Sequence, residues 1–220
     1  PWRSASFLVK KPNGGFRFVT DYRKANAQVP KMHWPLVRIE SALSALGNAN
    51  VISSMDANSA YHQIPLADEK SKEFTAFAGP TCQLQYTVLP QGYKNSVSEY
   101  TKFTSYMLGN LQWECCLTYL DDFLAFSKDF DTHLEDLDKI FRRVQHFGVQ
   151  FSPKKTMFCR KELPYLGYVI IPGTGVKANP KKVESIDNIP VPKTKKQLVT
   201  FLQSVGFYRS LIPYFNKLAA

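Results

Sequence analysis

The run CCLTYLDDFLAFS, residues 115–127, sets two adjacent carboxylates, Asp121 and Asp122, between two apolar segments rich in strand formers. Aspartate is depleted in strands, and neighbouring ionised carboxylates raise one another's pKa unless a cation offsets their charge. Two readings of this stretch are open. In one, the aspartates simply turn a hairpin, since Asp is a common turn residue. In the other, they stand at a hairpin tip and hold a metal ion.

A second apolar run, NVISSMD, also ends on a carboxylate, Asp56, and the turn-like Ala57-Asn58-Ser59 follows it. If the two runs lie side by side as strands, three carboxylates collect at one end of a sheet. That cluster is unfavourable alone and favourable with hard divalent cations, whose preferred ligands are carboxylate and water oxygens. Two such ions about 3.5–4 Å apart are the known arrangement for phosphoryl and nucleotidyl transfer. Lys10 and Arg17 flank Pro12-Asn13-Gly14-Gly15, a strong turn signal, and are expected to point into one cleft as triphosphate contacts.

The rest of the chain reads as strands and helices in alternation. FTAFAG and QLQYTVL are expected to form a pair of strands around Gly79-Pro80, and YLGYVI a single strand. Tyr100, Phe103 and Met107 fall on one helical stripe. Phe130, Leu134, Leu137, Phe141, Val144 and Phe147 predict an amphipathic helix over 130–147, closed by Gly148. Asn179-Pro180 has the form of an N-cap with Pro at N1, and Thr194–Gln197 that of a capping box. The fold class is α+β, with a helical C-terminal appendage.

Charge is unevenly placed. Residues 1–149 carry 16 Lys/Arg against 15 Asp/Glu, whereas residues 150–220 carry 12 against 3. A basic third on a nearly neutral body suggests a polyanion held by one lobe. Cys82, Cys115, Cys116 and Cys159 show no metal or disulfide spacing, which suits a thiol-containing intracellular protein better than a secreted one. His62, His133 and His146 show no metal-ligand spacing with Cys159 and read as structural or surface residues. No apolar stretch reaches the length of a membrane span, so no membrane partner is expected. The chain starts inside what reads as a strand, as a fragment of a longer protein would.

In this order, the sequence resembles the reverse transcriptases of long-terminal-repeat retroelements and retroviruses, in the gypsy-type and gammaretroviral style. SASFLVKKPNGGFRFVTDYRKAN resembles the fingers hairpin and VISSMDANSAYHQI the first catalytic-aspartate segment. LPQGYKNS resembles the element against the incoming nucleotide, YLDD is a Y-x-D-D box, and YLGY resembles the primer grip. PKKVESIDNIPVPKTKKQLVTFLQSVGFYRSLIPYF is similar to the thumb. The resemblance covers essentially the whole chain, leaving no part for an RNase H domain.

It implies a right-hand polymerase: fingers at 1–30 and 64–95, palm at 31–63 and 96–173, thumb at 174–220. It implies an RNA-directed DNA polymerase within a Pol polyprotein, acting on RNA and DNA primer–templates and dNTPs with two Mg²⁺ ions, Mn²⁺ being a substitute. The setting implied is cytoplasmic, in a virus-like particle, or nuclear. Asp56 and Asp121 would bridge the ions and Asp122 support them; Lys10 and Arg17 would contact the β- and γ-phosphates. Gln91 and Gly92 would line the sugar and base side, and Tyr61 would exclude a 2′-hydroxyl. Lys155, with Lys154 as the alternative in register, would protonate pyrophosphate, and Leu166, Gly167 and Tyr168 would position the primer end. Val97 and Tyr100 stand where the family usually has Pro and Phe. A catalytically impaired nucleic-acid-binding relic and an RNA polymerase on the same palm are the competing readings; the intact aspartates oppose the first and Tyr61 the second.

Overall fold

The carboxylate-bearing runs do pair. In the computed structural model, which describes residues 2–11, 14–47 and 49–219, β3 (Val51–Asp56) lies antiparallel to β7 (Asp122–Ser127), and β7 also pairs with β6 (Cys116–Tyr119). Strand order is β3-β7-β6. Two strands precede this sheet, β1 (Ala5–Lys10) and β2 (Phe16–Asp21), and form an antiparallel hairpin. Of its connecting turn, Pro12 and Asn13 lie outside the described residues. Helices α1 (Arg23–Gln28) and α2 (Ile39–Ala45) lead into β3.

Between β3 and β6 come α3 (Glu69–Glu73), β4 (Phe77–Ala78), β5 (Gln83–Leu84) and α4 (Ser96–Leu108). Here FTAFAG and QLQYTVL contribute only a two-residue ladder instead of full strands. The reason lies in side chains that take over backbone partners. Thr75 Oγ1 accepts from the Tyr86 amide at 2.9 Å, and the Tyr22 hydroxyl donates to the Thr75 carbonyl at 2.9 Å.

Helix α5 (Phe130–His146) starts where its periodicity predicts and ends one residue earlier, and its Asp129 cap accepts from the Thr132 amide. Its buried stripe is rotated from the expected one. His133, Asp136, Leu137, Ile140 and Val144 face the sheet, while Phe130 and Leu134 are half exposed. Polar burial at 133 and 136 is possible because the sheet supplies partners. Ser53 Oγ lies 2.7 Å from His133 Nε2, Ser127 Oγ lies 3.0 Å from Nδ1, and Ser127 Oγ donates to Asp136 Oδ2 at 2.8 Å. Buried polar groups satisfied in this way stabilise rather than penalise the fold.

YLGYVI is a hairpin, not one strand. β8 (Leu163–Tyr165) and β9 (Tyr168–Ile171) pair across Leu166-Gly167, and β10 (Gly175–Ala178) extends the sheet. Positive φ at both Leu166 (49°) and Gly167 (85°) is the two-residue type I′ pattern. The chain ends with α6 (Pro180–Asp187), α7 (Lys195–Gly206) and α8 (Phe215–Leu218). The Asn179 cap and the Thr194–Gln197 capping box both form. Among the described residues, no helix is long and apolar enough to cross a membrane.

Strand alternation assigns the two faces of the central sheet. Met55, Phe123, Ala125 and Cys116 face α4 and α5. Ile52, Leu124, Phe126 and Leu117 face the other way, onto Leu163, Tyr165 and Ile170 of β8 and β9. Asp56 and Asp122, in phase with Ile52 and Leu124, therefore stand at the open end of the face that β8 covers.

Candidate active site

YLDD is both a turn and a carboxylate cluster. Tyr119 pairs with Asp122 across a loop of Leu120 and Asp121, and Leu120 has φ = 55°. A positive φ at the first loop position and not the second is the type II′ pattern, which ordinarily takes glycine. Holding leucine there costs on the order of 1–3 kcal/mol, a strain typical of functional sites. Asp56 is the ladder partner of Asp122, and the Ala57 amide donates to the Asp121 carbonyl at 3.0 Å. All three carboxylates thus converge at one end of β3 and β7.

The segment after α5 returns along the free edge of β3, where Ser54 and Met157 exchange both backbone hydrogen bonds at 2.8 Å. A turn at residues 152–156 puts Lys155 over the cluster. Its Nζ donates to Asp56 Oδ1 at 2.9 Å and Oδ2 at 3.1 Å, whereas Lys154 makes no polar side-chain contact among the described residues. The Asp56 carboxylate raises the Lys155 pKa. Burial, then the charges of Asp121 and Asp56, push Asp122 up to about 6. Asp56, Asp122, Lys155, Tyr165, Leu166 and Gly167 line one cavity of about 300 Å³.

Can these residues hold a cation? Among the described residues no three His, Cys, Asp or Glu side chains are closed up as a ready cage, and Asp56 is engaged by Lys155. The donor chemistry nevertheless fits a hard divalent ion. It offers the oxygens of three carboxylates at an open sheet end.

The Tyr61 ring stands 5.1 Å from that of Tyr100, and burial, then the Asp121 charge, raise the Tyr61 pKa. Tyr100 is buried in the core. Helix α4 forms with Val97 in place, starting at Ser96, whose hydroxyl donates to the Pro90 carbonyl at 2.7 Å. Gln91 is exposed, and the Gly92 carbonyl accepts from Asn26 Nδ2 at 3.0 Å, clamping this loop on α1. Lys94 and Asn95 strengthen the clamp through the Val29 and Pro30 carbonyls.

Lys10 and Arg17 are not brought onto one face. Lys10 pairs with Phe16 and Arg17 with Val9, so alternation sends the two side chains to opposite faces of the hairpin. Leu166 and Gly167 line the carboxylate cavity, whereas Tyr168 is not among its lining residues; Gly167 and Tyr168 are tied to the C-terminal helices. The Tyr168 hydroxyl donates to the Phe207 carbonyl at 2.9 Å and the Tyr208 hydroxyl to the Gly167 carbonyl at 2.6 Å.

Residues 9–170 match the family model described as reverse transcriptase (RNA-dependent DNA polymerase). The chain belongs to the reverse transcriptase family. It is 31% identical over 224 residues to the retrovirus-related Pol polyprotein from transposon 297 of Drosophila melanogaster, covering 100% of this chain and 21% of that protein. It is likewise 31% identical over 233 residues to the Gag-Pol polyprotein of Koala retrovirus, covering 100% of this chain and 14% of that one. The chain thus spans about a fifth or less of the length of these relatives. Among solved structures it is similar to the foamy viral protease-reverse transcriptase dRH in complex with double-stranded DNA. There the TM-score is 0.87 at 29% identity, over 98% of this chain and 37% of that one. A foamy viral protease-reverse transcriptase in complex with an RNA/DNA hybrid matches with a TM-score of 0.76 at 29% identity, over 94% of this chain and 27% of that one. The α+β polymerase fold follows from these likenesses.

One contributor to the site was not foreseen in the sequence: Tyr165, the first residue of YLGY, lines the carboxylate cavity. His133 is buried on the opposite face of the sheet, as the structural residue it was read to be. Only the position of Tyr165, one residue before Leu166-Gly167, hints at its place.

Proposed function

We propose that this chain is the polymerase portion of a retroelement Pol polyprotein and transfers nucleotides from dNTPs to a primer 3′-hydroxyl on an RNA or DNA template. The observation that carries the reading is the convergence of Asp56, Asp121 and Asp122 at one sheet end, in a fold shared with reverse transcriptases bound to nucleic acid. Fingers correspond to 1–30 and 64–95, palm to 31–63 and 96–173, and thumb to 174–220.

Asp56 and Asp121 would hold two Mg²⁺ ions, or Mn²⁺ in their place, with Asp122 in support. When bound, such ions lower the pKa of an attacking hydroxyl and offset charge on a departing pyrophosphate. Lys155, which holds its proton at Nζ beside Asp56, would release it to pyrophosphate. Tyr61, backed by Tyr100, walls the sugar side against a 2′-hydroxyl, and Gln91 and Gly92 line the base side. Lys10 and Arg17 project from opposite faces of the first hairpin, so one of the two, not both, would meet the triphosphate. Leu166, Gly167 and Tyr168 orient the primer end.

The basic C-terminal third supports a primer–template partner. Lys181, Lys182, Lys193, Lys195 and Lys196 are exposed, and among the described residues none of them forms an ion pair. Such a surface binds phosphates with strong salt dependence and little sequence preference. The setting that suits this activity is a cytoplasmic particle or the nucleus. Mg²⁺-dependent incorporation of one dNTP on a DNA primer annealed to RNA tests the reading. Salt-sensitive binding of primer–template without any incorporation would leave a binding relic instead.

A further inference from the structure

One residue lining the cavity of Asp56 and Asp122 carries a buried polar atom that nothing in the fold explains. Tyr165 is 4% exposed, and its hydroxyl is sealed from solvent with no hydrogen-bond partner among the described residues. A buried hydroxyl left unpaired costs roughly 1–3 kcal/mol, and phenylalanine would fill the same space without that cost. Such groups are rare in native structures and call for a reason.

Its surroundings supply one. Tyr165 lies on the sheet face to which alternation assigns Asp56, Asp122, Leu124 and Tyr119. It lines the same cavity of about 300 Å³ as Asp122, Asp56 and Lys155. It is also the last residue of β8 before the Leu166-Gly167 turn, so a bond from its hydroxyl would join that hairpin to the carboxylates. A phenol is a protonated donor at working pH. Tyr165 therefore brings an unpaired donor to the same lining that carries the Asp56 and Asp122 carboxylates.

We propose that Tyr165 is a positioning residue for the cation site: its hydroxyl donates to the Asp122 carboxylate, or to a water that carboxylate holds, when the site takes up a divalent ion. This rests on the reading of Asp56, Asp121 and Asp122 as cation ligands. It extends that reading to a residue that makes no direct bond to the ion. A donor behind a ligating carboxylate fixes its rotamer and stabilises its ionised form, and losing such a partner typically lowers metal affinity by about 10- to 100-fold.

The test is Mn²⁺ binding to the nucleic-acid-free protein, followed by the electron paramagnetic resonance signal of free Mn²⁺, for the parent, Tyr165→Phe and Asp121→Asn. Thermal unfolding without metal is measured beside it. Tyr165→Phe is expected to bind Mn²⁺ about 10-fold or more weakly while unfolding at the same temperature as the parent or higher, because only an unpaired hydroxyl is removed. A hydroxyl with a purely structural role would lower the unfolding temperature and leave Mn²⁺ binding alone, which would overturn the proposal. Equal Mn²⁺ binding by the parent and Tyr165→Phe, both tighter than Asp121→Asn, overturns the role of Tyr165 and leaves the cation site standing. Equal binding by all three proteins removes the cation site itself, and the proposal with it.

Discussion

Asp56 and Asp122 face one another as ladder partners across β3 and β7, and Lys155 reaches Asp56 from the returning edge segment with two contacts of 2.9 and 3.1 Å. The Lys155 side chain is 65% exposed. An ion pair that open contributes at most about 1 kcal/mol. Lys155→Ala is therefore expected to leave urea-unfolding stability nearly unchanged. Single-turnover nucleotide incorporation is expected to fall by about 10²–10⁴-fold, the range for loss of a general acid. A large stability loss with incorporation retained would make Lys155 a structural residue.

The raised Asp122 pKa has a consequence for the metal-free protein. A carboxylate that titrates near 6 in the fold and near 3.8 when unfolded binds its proton more tightly in the folded state. Its contribution is neutral below the unfolded value and becomes increasingly destabilising as pH rises from there to about 6. Asp122→Asn should raise the thermal midpoint of the metal-free protein at pH 7–8 and leave it unchanged near pH 3.5. A midpoint difference independent of pH would show that Asp122 is not held against its charge.

His133 titrates with the opposite sign. Burial holds its pKa below 6.5, so the folded state favours the neutral ring. Stability from this network is present above the unfolded pKa and is lost as pH falls below it. Removing the ring with His133→Ala leaves a cavity and strips the Ser53 and Ser127 hydroxyls of a partner. It is expected to cost about 2–4 kcal/mol in denaturant unfolding at pH 7.5. A cost under about 0.5 kcal/mol would mean that water replaces the ring.

Gly167 is bound to its conformation and to its neighbour. It has φ = 85°, and a Cβ there would meet the Phe207 ring at 3.0 and 3.1 Å. Gly167→Ala is expected to destabilise by about 1–2 kcal/mol and to weaken primer–template binding by displacing the C-terminal helices. Unchanged binding in a filter assay would show that the β8–β9 hairpin and α7 are not coupled.

The three aspartates were legible because each borders an apolar run: Asp56 ends β3, and Asp121 and Asp122 sit where β6 turns into β7. Helix α5 was legible in extent but not in rotation. Its buried face includes His133 and Asp136, which only Ser53 and Ser127 on distant strands make tolerable. YLGYVI misled because a short apolar run with one glycine does not distinguish a strand from a hairpin. Lys154 and Lys155 were separable only through the turn at 152–156, whose backbone bonds from Thr156 and Lys155 to the Ser152 carbonyl fix which lysine faces Asp56. For Lys10 and Arg17, the register of the first ladder decides the faces, and that register depends on a loop the sequence does not specify.

Extension of a DNA primer on an RNA template with dNTPs and Mg²⁺, for the parent and Asp121→Asn side by side, tests the carboxylate site most directly. Template-length product from the parent, with loss of product from Asp121→Asn although both bind primer–template equally, is the expected result. Equal extension by the two proteins would contradict it and place any polymerase chemistry away from Asp121.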